Sequence, residues 1–404
     1  MALKALLTAA TDCRDGTADP RALLPLFGRP LIEHQADRAI EAGVRQLLFI
    51  APEATVRVAA LVETLRGRGV DALVLPDIGA VEPLLSASDR LLVIGDGVLA
   101  AAEPMRRMAD AHTLRVLLLI DDAGTDAFER VDINHRWAGL ANVGVAEVRA
   151  VAALPSDWSP DSALMRQAMQ HGAGTELLRA SVLRGGELAL PRDVGEVDAL
   201  GGQLLAGFED APGDPADRYL VAPLADRIVR LTAGVRGGLH WLGLAGPGAA
   251  VVALGSAALG LLGPAGLLGT TALLLTAAAR RIAPFHPRQT LLRHVGRATM
   301  LALLPILPLL GLMRPDKVAA LPVIGGLLLL LLIVAVEAAA RRRGRPPWMP
   351  GLTTVTLMLT AAALAGGWVQ GVWLGCFLLA GALVGEVLQP EGVLRTKESR
   401  RNKD

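Results

Sequence analysis

Residues 318–340 read VAALPVIGGLLLLLLIVAVEAAA, and residues 239–262 read LHWLGLAGPGAAVVALGSAALGLL. A helix needs roughly 20 mostly apolar residues in succession to cross a bilayer, and both stretches reach that length. They belong to a block, Gly237–Pro390, of long apolar runs separated by short loops. The block predicts an integral membrane protein with a large soluble part in front of it.

Six runs in this block meet the spanning length or come close to it. They are Leu239–Leu262, Leu267–Ala283, Ala298–Met313, Val318–Ala340, Gly351–Gly366 and Val369–Leu388. Arginine-rich loops follow the second and fourth runs and a basic tail follows the sixth, whereas the opposite loops carry few basic residues. Because cytoplasmic loops carry an excess of Lys and Arg, this pattern predicts that both termini lie on the cytoplasmic side of the inner (cytoplasmic) membrane.

The charges are distributed unevenly along the chain. The net charge of +1 conceals an acidic N-terminal part and a basic membrane part, because most acidic residues precede Asp226. This asymmetry supports two domains, and the acidic soluble part argues against a nucleic-acid partner. Two distant cysteines, Cys13 and Cys376, indicate neither a disulfide framework nor a zinc site.

Short apolar runs alternate with helix-like segments in the soluble part, which predicts a mostly parallel α/β sheet. The predicted strands are Leu3–Thr8, Gln46–Ala51, Ala72–Pro76, Arg90–Ile94 and Arg115–Ile120. The predicted helices are Pro30–Ala42, Glu53–Arg66, Val81–Ser86 and Glu103–Ala111. Ligands of such sheets bind beyond the carboxyl ends of the strands, so Thr11–Arg14 and Asp96 are expected at the ligand crevice.

Three segments of the soluble part resemble sugar-phosphate nucleotidyltransferases. Residues 24–34 read LPLFGRPLIEH, residues 91–96 read LLVIGD, and residues 191–200 read PRDVGEVDAL. The resemblance implies a Rossmann-like nucleotidyltransferase fold in the cytoplasm. It also implies that Asp96, with Asp193 as a second carboxylate, holds Mg²⁺ against the phosphates of a nucleotide. Mg²⁺ prefers oxygen ligands and needs only one or two carboxylates besides the phosphates.

The loop after the first strand departs from that family. The family has a glycine-rich G-x-G-x-R loop, whereas residues 10–16 here read ATDCRDG. Acidic side chains there repel a triphosphate, and the missing glycines restrict close approach of the backbone. Arg14 and Arg21 are the candidate nucleotide-binding residues, with Arg21 in place of the family's usual Lys. The alternative is that Asp96 caps a strand-to-helix turn in a fold that no longer catalyses.

An amphipathic segment joins the two parts. Gly201–Asp214 is rich in Gly, Pro and acidic residues and is predicted to be a linker. Residues 214–232 then read DPADRYLVAPLADRIVRLT, in which leucine and isoleucine recur at helical spacing around two arginines, Arg227 and Arg230. This pattern predicts a helix lying on the cytoplasmic surface of the membrane.

The order of these parts resembles inositol-phosphate cytidylyltransferases fused to a CDP-alcohol phosphatidyltransferase. The corresponding domains would be residues 1–207, nucleotidyltransferase-like; 208–236, linker and interfacial helix; 237–390, a six-helix membrane bundle; and 391–404, a basic tail. The resemblance implies a role in phospholipid head-group metabolism, with a nucleotide or nucleotide-activated polyol and membrane lipids as partners. It also implies a homodimer formed through the membrane helices.

The membrane part lacks the carboxylates of that family. CDP-alcohol phosphatidyltransferases carry D-x-x-D-G-x-x-A-R-x(8)-G-x(3)-D-x(3)-D, whose carboxylates bind metal and activate the attacking alcohol. No Asp or Glu occurs between Asp226 and Asp316. No membrane-domain metal is therefore expected, and this activity is predicted to be lost. Basic residues remain as candidates for binding a phosphate or lipid head group: Arg227, Arg230, Arg280, Arg281, Arg288 and Arg293. The alternative is that they are orientation charges facing anionic lipid.

Two hypotheses follow from the sequence. The first is an enzyme, or an enzyme-derived component, of phospholipid head-group synthesis. The second is a non-catalytic membrane protein that keeps both folds as a scaffold or as a binding partner of an active transferase. The missing membrane carboxylates favour the second hypothesis for the membrane part, whereas Asp96 and Asp193 leave the first open for the soluble part.

Overall fold

The chain forms two compact units, Met1–Gly207 and Phe208–Asp404. The structure is a computed structural model that describes residues 2–16, 19–52, 55–110, 115–120, 126–155, 158–178, 183, 186–207, 214–233, 238–283, 294, 299, 320–343, 346 and 348–388. The first unit is an α/β domain and the second is built from helices, so each is described by itself.

The first unit alternates strands and helices. Its strands are β1 (Leu3–Thr8), β2 (Pro25–Leu26), β3 (Arg29–Pro30), β4 (Gln46–Ile50), β5 (Asp71–Leu75), β6 (Arg90–Ile94), β7 (Leu99–Ala100), β8 (Arg115–Ile120), β9 (His135–Val143), β10 (Gly174–Leu178) and β11 (Leu188–Ala189). Its helices are α1 (Leu31–Glu41), α2 (Thr55–Gly67), α3 (Ala102–Asp110), α4 (Val145–Ala152), α5 (Pro160–Gln170) and α6 (Val194–Gly207).

A seven-stranded sheet in the order β10-β8-β9-β6-β1-β4-β5 forms the centre of this unit. β1 lies between β6 and β4 and is parallel to both, which confirms the predicted α/β domain with a parallel sheet. β9 runs antiparallel to its two neighbours, β6 and β8. The sequence analysis missed β9, because its HRWAGLANV stretch mixes polar and small residues where a long apolar run was sought.

Helices cover both faces of the sheet. Along β1, Ala5 and Leu7 pack into a core with residues of α1, α2 and α3, whereas Leu6 packs into a second core with residues of α4 and α5. Successive residues of a strand point to opposite faces, so a strand buried on both sides is apolar throughout. This requirement explains why β1, β4 and β6 are mostly apolar, with the polar Lys4, Gln46 and Arg90 at their partly buried starts.

Two local predictions in this unit need correction. The predicted helix Val81–Ser86 is only a single 3-10 turn, Glu82–Leu84, which ends where Leu85 adopts an extended backbone with φ −104° and ψ 130°. The predicted linker was placed from Gly201 onward, but α6 continues to Gly207. Gly201 faces Leu26 and Phe27 at 3.7 Å from the position of an added Cβ, so it serves helix packing rather than flexibility.

The second unit consists of helices. They are α7 (Ala222–Ala233), preceded by a π-helical turn at Asp217–Val221, then α8 (Gly238–Ala258), α9 (Leu262–Ile282), α10 (Ala320–Arg343), α11 (Leu352–Leu364) and α12 (Trp368–Val387). Four of these described helices, α8, α9, α10 and α12, are long and apolar enough to cross a membrane. This finding fits an integral membrane protein.

The six predicted membrane spans have different outcomes in the structure. The four long helices correspond to the first, second, fourth and sixth predicted runs, and α11 corresponds to the fifth but is a shorter apolar helix. The third predicted run, Ala298–Met313, lies outside the described residues. The predicted loop Gly263–Gly266 is the first turn of α9, where Pro264 is tolerated because the first amides of a helix need no intrahelical partner.

Glycines allow the membrane helices to approach one another closely. A Cβ added at Gly246 would lie 2.7 Å from Thr276 Oγ1, and one at Gly266 would lie 2.9 Å from Thr360 Oγ1. At Gly371 an added Cβ would meet Ala362 Cβ at 2.6 Å. Small residues at helix interfaces are the usual means of packing in membranes, where lipid tails are as apolar as leucine.

Candidate functional site

Asp96 lies at the carboxyl end of β6, beside the end of β1. Its side chain is 2% exposed. Oδ2 accepts hydrogen bonds from the backbone N–H groups of Ala10 and Thr11, each at 2.8 Å. The parallel pairing of β1 with β6 brings these two amides to the carboxylate. Asp96 therefore fixes the start of the loop after β1, at the edge of the sheet where α/β domains bind ligands.

Arg21 lies over the turn that follows Asp96. Gly97 has φ +68°, and a Cβ added there would lie 2.7 Å from Arg21 Cγ and 2.9 Å from Arg21 Nε. Glycine is thus required both for the backbone conformation and for the space that the arginine occupies. Arg21 Nε lies 3.9 Å from Asp96 Oδ1. Within the described part of the chain, both atoms are buried without a hydrogen-bond partner.

A second buried carboxylate, Asp161, binds the backbone of Asp96. Its Oδ2 accepts the backbone N–H of Asp96 at 3.0 Å and faces the Thr8 hydroxyl at 3.5 Å. Its Oδ1 accepts the backbone N–H of Ser162 at 3.0 Å and the Ser159 hydroxyl. The sequence analysis missed Asp161, whose only signal was its place in the first turn of a helix after Ser159-Pro160.

Burial raises the pKa of Asp96 to about 6. The Arg21 guanidinium and the two backbone amides oppose this rise, and the nearby Asp161 carboxylate adds to it. Desolvation disfavours the charged form of a carboxyl group, and here it outweighs the single positive partner. Asp96 is therefore a carboxyl group that changes its charge just below neutral pH.

Gln35, on α1, holds the same turn from the opposite side. Its Nε2 donates to Gly95 O at 2.9 Å and to Val98 O at 2.8 Å, and the side chain is buried. These bonds satisfy two backbone carbonyls of the Gly95–Val98 turn that the sheet does not pair. Gln35 directly follows the LPLFGRPLIEH segment, and the sequence analysis did not identify it as a support of this turn.

The LPLFGRPLIEH segment itself has a structural role. Phe27 and Gly28 both have positive φ, at 50° and 74°, which is the conformation of a two-residue hairpin turn between β2 and β3. Arg29 donates to Glu33 at 2.7 Å and also to Asp37. His34 donates from Nε2 to Leu26 O at 2.9 Å, and burial lowers its pKa to about 4. The segment thus positions α1, which carries Gln35.

The segment that contains Asp193 contacts a different part of the loop after β1, at Arg14. Asp193 Oδ1 accepts the backbone N–H of Glu196 at 2.8 Å, so Asp193 caps the start of α6. The backbone N–H of Arg14 donates to Arg192 O at 2.9 Å. The Arg192 side chain lowers the pKa of Glu196 by a hydrogen bond, and the Arg14 charge also contributes. The structure therefore associates Arg21 with Asp96 and Arg14 with the Asp193 segment.

The residues around Asp96 do not fit a divalent cation. Oδ2 already accepts two amide hydrogens, and Oδ1 faces the positive Arg21 Nε at 3.9 Å. Both oxygens of Asp161 are hydrogen-bonded as well. Among the residues that the structure describes, no three His, Cys, Asp or Glu side chains form a cluster that could hold a metal ion. Asp96 therefore offers the predicted Mg²⁺ only Oδ1, which lies beside a guanidinium.

The six candidate basic residues of the second unit differ in their surroundings. Arg281 Nη1 contacts Asp226 Oδ1 at 2.5 Å, with the two side chains 11% and 25% exposed. Arg280 is half-buried, and Arg227 and Arg230 are exposed on α7. Arg288 and Arg293 lie outside the described residues. Arg281 is thus paired within the protein, which reduces its suitability for binding a lipid phosphate.

The helix α7 has one covered face and one open face. Val221, Ala225 and Val229 are buried where the segment packs against α9. The predicted apolar stripe is on the open face: Leu220, Leu224 and Leu231 are 56%, 48% and 79% exposed. Within this unit, the described residues thus leave a leucine stripe beside two arginines uncovered.

Asp214 anchors the start of this helical segment. It is 2% exposed, and its Oδ1 accepts the backbone N–H of Asp217 at 2.9 Å. Its Oδ2 accepts the backbone N–H of Thr354, in the first turn of α11, at 3.0 Å. One carboxylate therefore caps two helix N-termini, where a negative charge is favoured by the helix dipole.

No protein-family model matches the chain, and no curated protein matches it either. Among solved structures, the chain is similar to a putative glucose-1-phosphate thymidylyltransferase from Bacillus anthracis, with 12% identity, a TM-score of 0.36, and coverage of 44% of this chain and 87% of that one. It is also similar to a UDP-glucose pyrophosphorylase from Acinetobacter baumannii, with 12% identity, a TM-score of 0.39, and coverage of 52% and 95%.

A third similar structure is the inositol-1-phosphate CTP transferase from T. maritima. The identity is 13%, the TM-score 0.34, and the coverage 44% of this chain and 84% of that one. At these identities and TM-scores the similarities do not assign the chain to a family.

Proposed function

We propose that this chain is a membrane protein of phospholipid head-group metabolism whose α/β unit binds a nucleotide or nucleotide-activated polyol. Its origin would be a nucleotidyltransferase fused to a CDP-alcohol phosphatidyltransferase. The observation that carries the proposal is the Arg21 side chain, which lies over Gly97 beside Asp96 at the common carboxyl end of β1 and β6. That edge of the sheet is where ligands of α/β domains bind.

Phosphate is the ligand group that fits this edge. Arginine presents several N–H donors in a planar fork that matches the geometry of phosphate oxygens. Arg21 lies at the crevice, and Arg14 is exposed on the loop after β1. The exposed Asp12 and Asp15 on the same loop disfavour a highly charged triphosphate. A diphosphate ester, as in a nucleotide-activated polyol, carries less charge and is the better candidate.

The second unit would anchor this domain and contact lipid. We place six spans in residues 237–390 with both termini in the cytoplasm. Helix α7 would lie on the cytoplasmic membrane surface, with its exposed leucines in the bilayer and Arg227 and Arg230 at the lipid phosphates. Arg280, Arg288 and Arg293 would extend this basic surface. A homodimer through the membrane helices completes the proposal.

Phosphatidyl transfer is excluded from the proposed function. That chemistry needs several carboxylates around metal ions, and no Asp or Glu occurs between Asp226 and Asp316. Asp226 itself pairs with Arg281, which occupies the nearest carboxylate with a protein cation. The membrane unit would therefore hold lipid without transferring a phosphatidyl group.

Calorimetry of the full chain in lipid nanodiscs tests nucleotide binding. We expect CDP-glycerol to bind and Arg21→Gln to weaken binding by about tenfold or more, which corresponds to about 1.4 kcal/mol. Arg149→Gln is the matched control, since Arg149 is an exposed arginine that pairs with Glu82 on another part of the unit. Absence of binding by CDP-glycerol and CTP at millimolar concentration would refute nucleotide binding.

The alternative is a non-catalytic scaffold that partners an active transferase. The missing carboxylates of the membrane part support it for that part of the chain. The same titration separates the two proposals. A scaffold without ligand would show no nucleotide binding, whereas a binding protein would.

A spin label tests the placement of α7. The label would replace Leu224 in a background without the two native cysteines, which are buried. We expect the nitroxide at residue 224 to collide more with oxygen, which concentrates in the bilayer, than with a water-soluble nickel reagent. A label at the exposed Asp198 on α6 is the control and should give the reverse. Preference of residue 224 for the nickel reagent would contradict an interfacial helix.

A further inference from the structure

We infer that Arg21 occupies the position of a divalent cation at Asp96, so that this site holds its ligand without a metal ion. The inference deepens the proposed function and partly rests on it, because the ligand is the nucleotide phosphate proposed above. It is drawn from the charges and atoms around the Asp96 carboxylate rather than from the resemblance to metal-dependent transferases.

The geometry leaves one carboxylate oxygen for a positive group. Oδ2 of Asp96 is saturated by the Ala10 and Thr11 amides, so only Oδ1 remains. The atom that faces Oδ1 is Arg21 Nε at 3.9 Å, and neither atom has a hydrogen-bond partner among the described residues. At this distance the positive charge of Arg21 attracts the carboxylate from the place where a bound cation would lie.

A glycine and a backbone hydrogen bond place Arg21 beside Asp96. Gly97 leaves room for the Arg21 aliphatic stem, since a Cβ would approach Arg21 Cγ to 2.7 Å. The backbone N–H of Arg21 donates to Thr11 O at 2.8 Å, and this bond holds the arginine to the loop that Asp96 caps. Arg21 is thus held at its backbone, and its aliphatic stem packs over Gly97. A divalent cation at Oδ1 would be repelled by the guanidinium in this position.

A site of this kind should bind phosphate without a metal ion. In a metal-dependent site the cation bridges a carboxylate and the phosphates, so the carboxylate repels phosphate when the metal is removed. Here Arg21 supplies the positive charge permanently, because its guanidinium does not lose its proton in proteins. Phosphate would then bind with the same affinity in the presence of Mg²⁺ or of a chelator.

Manganese titration of the full chain, followed by the electron paramagnetic resonance signal of free Mn²⁺, tests the inference without a nucleotide. The chain would be held in neutral phosphatidylcholine nanodiscs. We expect wild type and Asp96→Asn to bind equal amounts of Mn²⁺. Arg21→Gln should gain one site, and Arg21→Gln/Asp96→Asn should lose it. One Mn²⁺ more on wild type than on Asp96→Asn would overturn the inference.

A second measurement is decisive if Arg21→Gln fails to fold. CDP-glycerol affinity of the wild-type chain should agree within about twofold between buffers with Mg²⁺ and with EDTA. Binding seen only with Mg²⁺ would overturn the inference. If CDP-glycerol binds in neither buffer, the proposed nucleotide binding fails, and the comparison of Mn²⁺ binding to wild type and Asp96→Asn still decides whether a metal occupies Asp96.

Discussion

Two aspartate–arginine pairs, Asp96 with Arg21 in the α/β unit and Asp226 with Arg281 in the helical unit, differ in what surrounds them. Asp96 is 2% exposed, accepts two backbone amides and faces Arg21 at 3.9 Å without a direct hydrogen bond. Asp226 is partly exposed and contacts Arg281 directly at 2.5 Å. The direct contact satisfies both partners, so it is a link between helices. The Asp96–Arg21 pair is buried and has no direct hydrogen bond, so its polar atoms can still bind a ligand. It is therefore the better candidate for a ligand-binding site.

Replacing Asp96 by alanine should have the largest effect on stability. The change removes the acceptor of the Ala10 and Thr11 amides and leaves the Arg21 charge without its partner, and the loss of one member of a buried pair costs about 3–5 kcal/mol. Urea unfolding of the full chain in detergent, followed by a probe on the α/β unit, measures the cost. Asp193→Ala is the control, since Asp193 only caps a helix and should cost about 1 kcal/mol. Equal costs would show that Asp96 is an ordinary turn residue.

The pH dependence of stability should reveal the charge on Asp96. Burial raises its pKa from 3.8 to about 6, so the folded protein binds more protons than the unfolded chain between about pH 4 and pH 6. Its contribution to the free energy of unfolding therefore falls as pH rises through this window, by up to about 3 kcal/mol, and is level above it. The difference between wild type and Asp96→Asn isolates this term. A difference that does not change with pH would contradict the burial.

Asp214→Ala should destabilise the helical unit by about 2 kcal/mol. The substitution removes the charged acceptor of the Asp217 and Thr354 amides, and hydrogen bonds to charged groups contribute about 1.5–3 kcal/mol. Thermal unfolding of the purified chain in detergent provides the measurement. Thr354→Ala retains the backbone amide and loses only a contact of 3.4 Å, so it should change stability by less. A larger loss in that control would show that Asp214 is not the anchor.

The smallest effect should come from Asp226→Asn. Partly exposed ion pairs contribute roughly 0–1 kcal/mol, because solvent screens the charges and both side chains lose freedom. Thermal unfolding should therefore change little, and Arg281→Gln should behave alike because both remove the same contact. A loss as large as that of Asp96→Ala would remove the distinction between the two pairs.

The sequence predicted the sheet better than the site. β1, β6 and β8 have the predicted bounds. β1 and β6 are buried on both faces of the sheet, which favours apolar residues along most of their length. β9 was missed because it contains Arg136 and Asn142 among small residues. In the helical unit, length and apolarity identified the four long helices, but they cannot indicate which face is open.

The residues around Asp96 show why the candidate site was harder to predict than the sheet. Asp96 was identified by its position after a strand, and the structure places Arg21 beside it. Asp161 and Gln35 support the same turn from distant positions in the sequence, and no local pattern marks such contacts. Asp193 resembles a metal ligand in sequence, yet its observed bond is a helix cap, which the same Asp-x-x-Glu spacing also predicts.

The most direct test compares the two pairs in one titration. CDP-glycerol would be titrated calorimetrically into the full chain in nanodiscs, as wild type, Arg21→Gln and Arg281→Gln. We predict that wild type and Arg281→Gln bind with the same affinity, whereas Arg21→Gln binds about tenfold more weakly or worse. Unchanged binding in Arg21→Gln, or loss of binding in Arg281→Gln alone, would contradict a ligand site at Asp96 and Arg21.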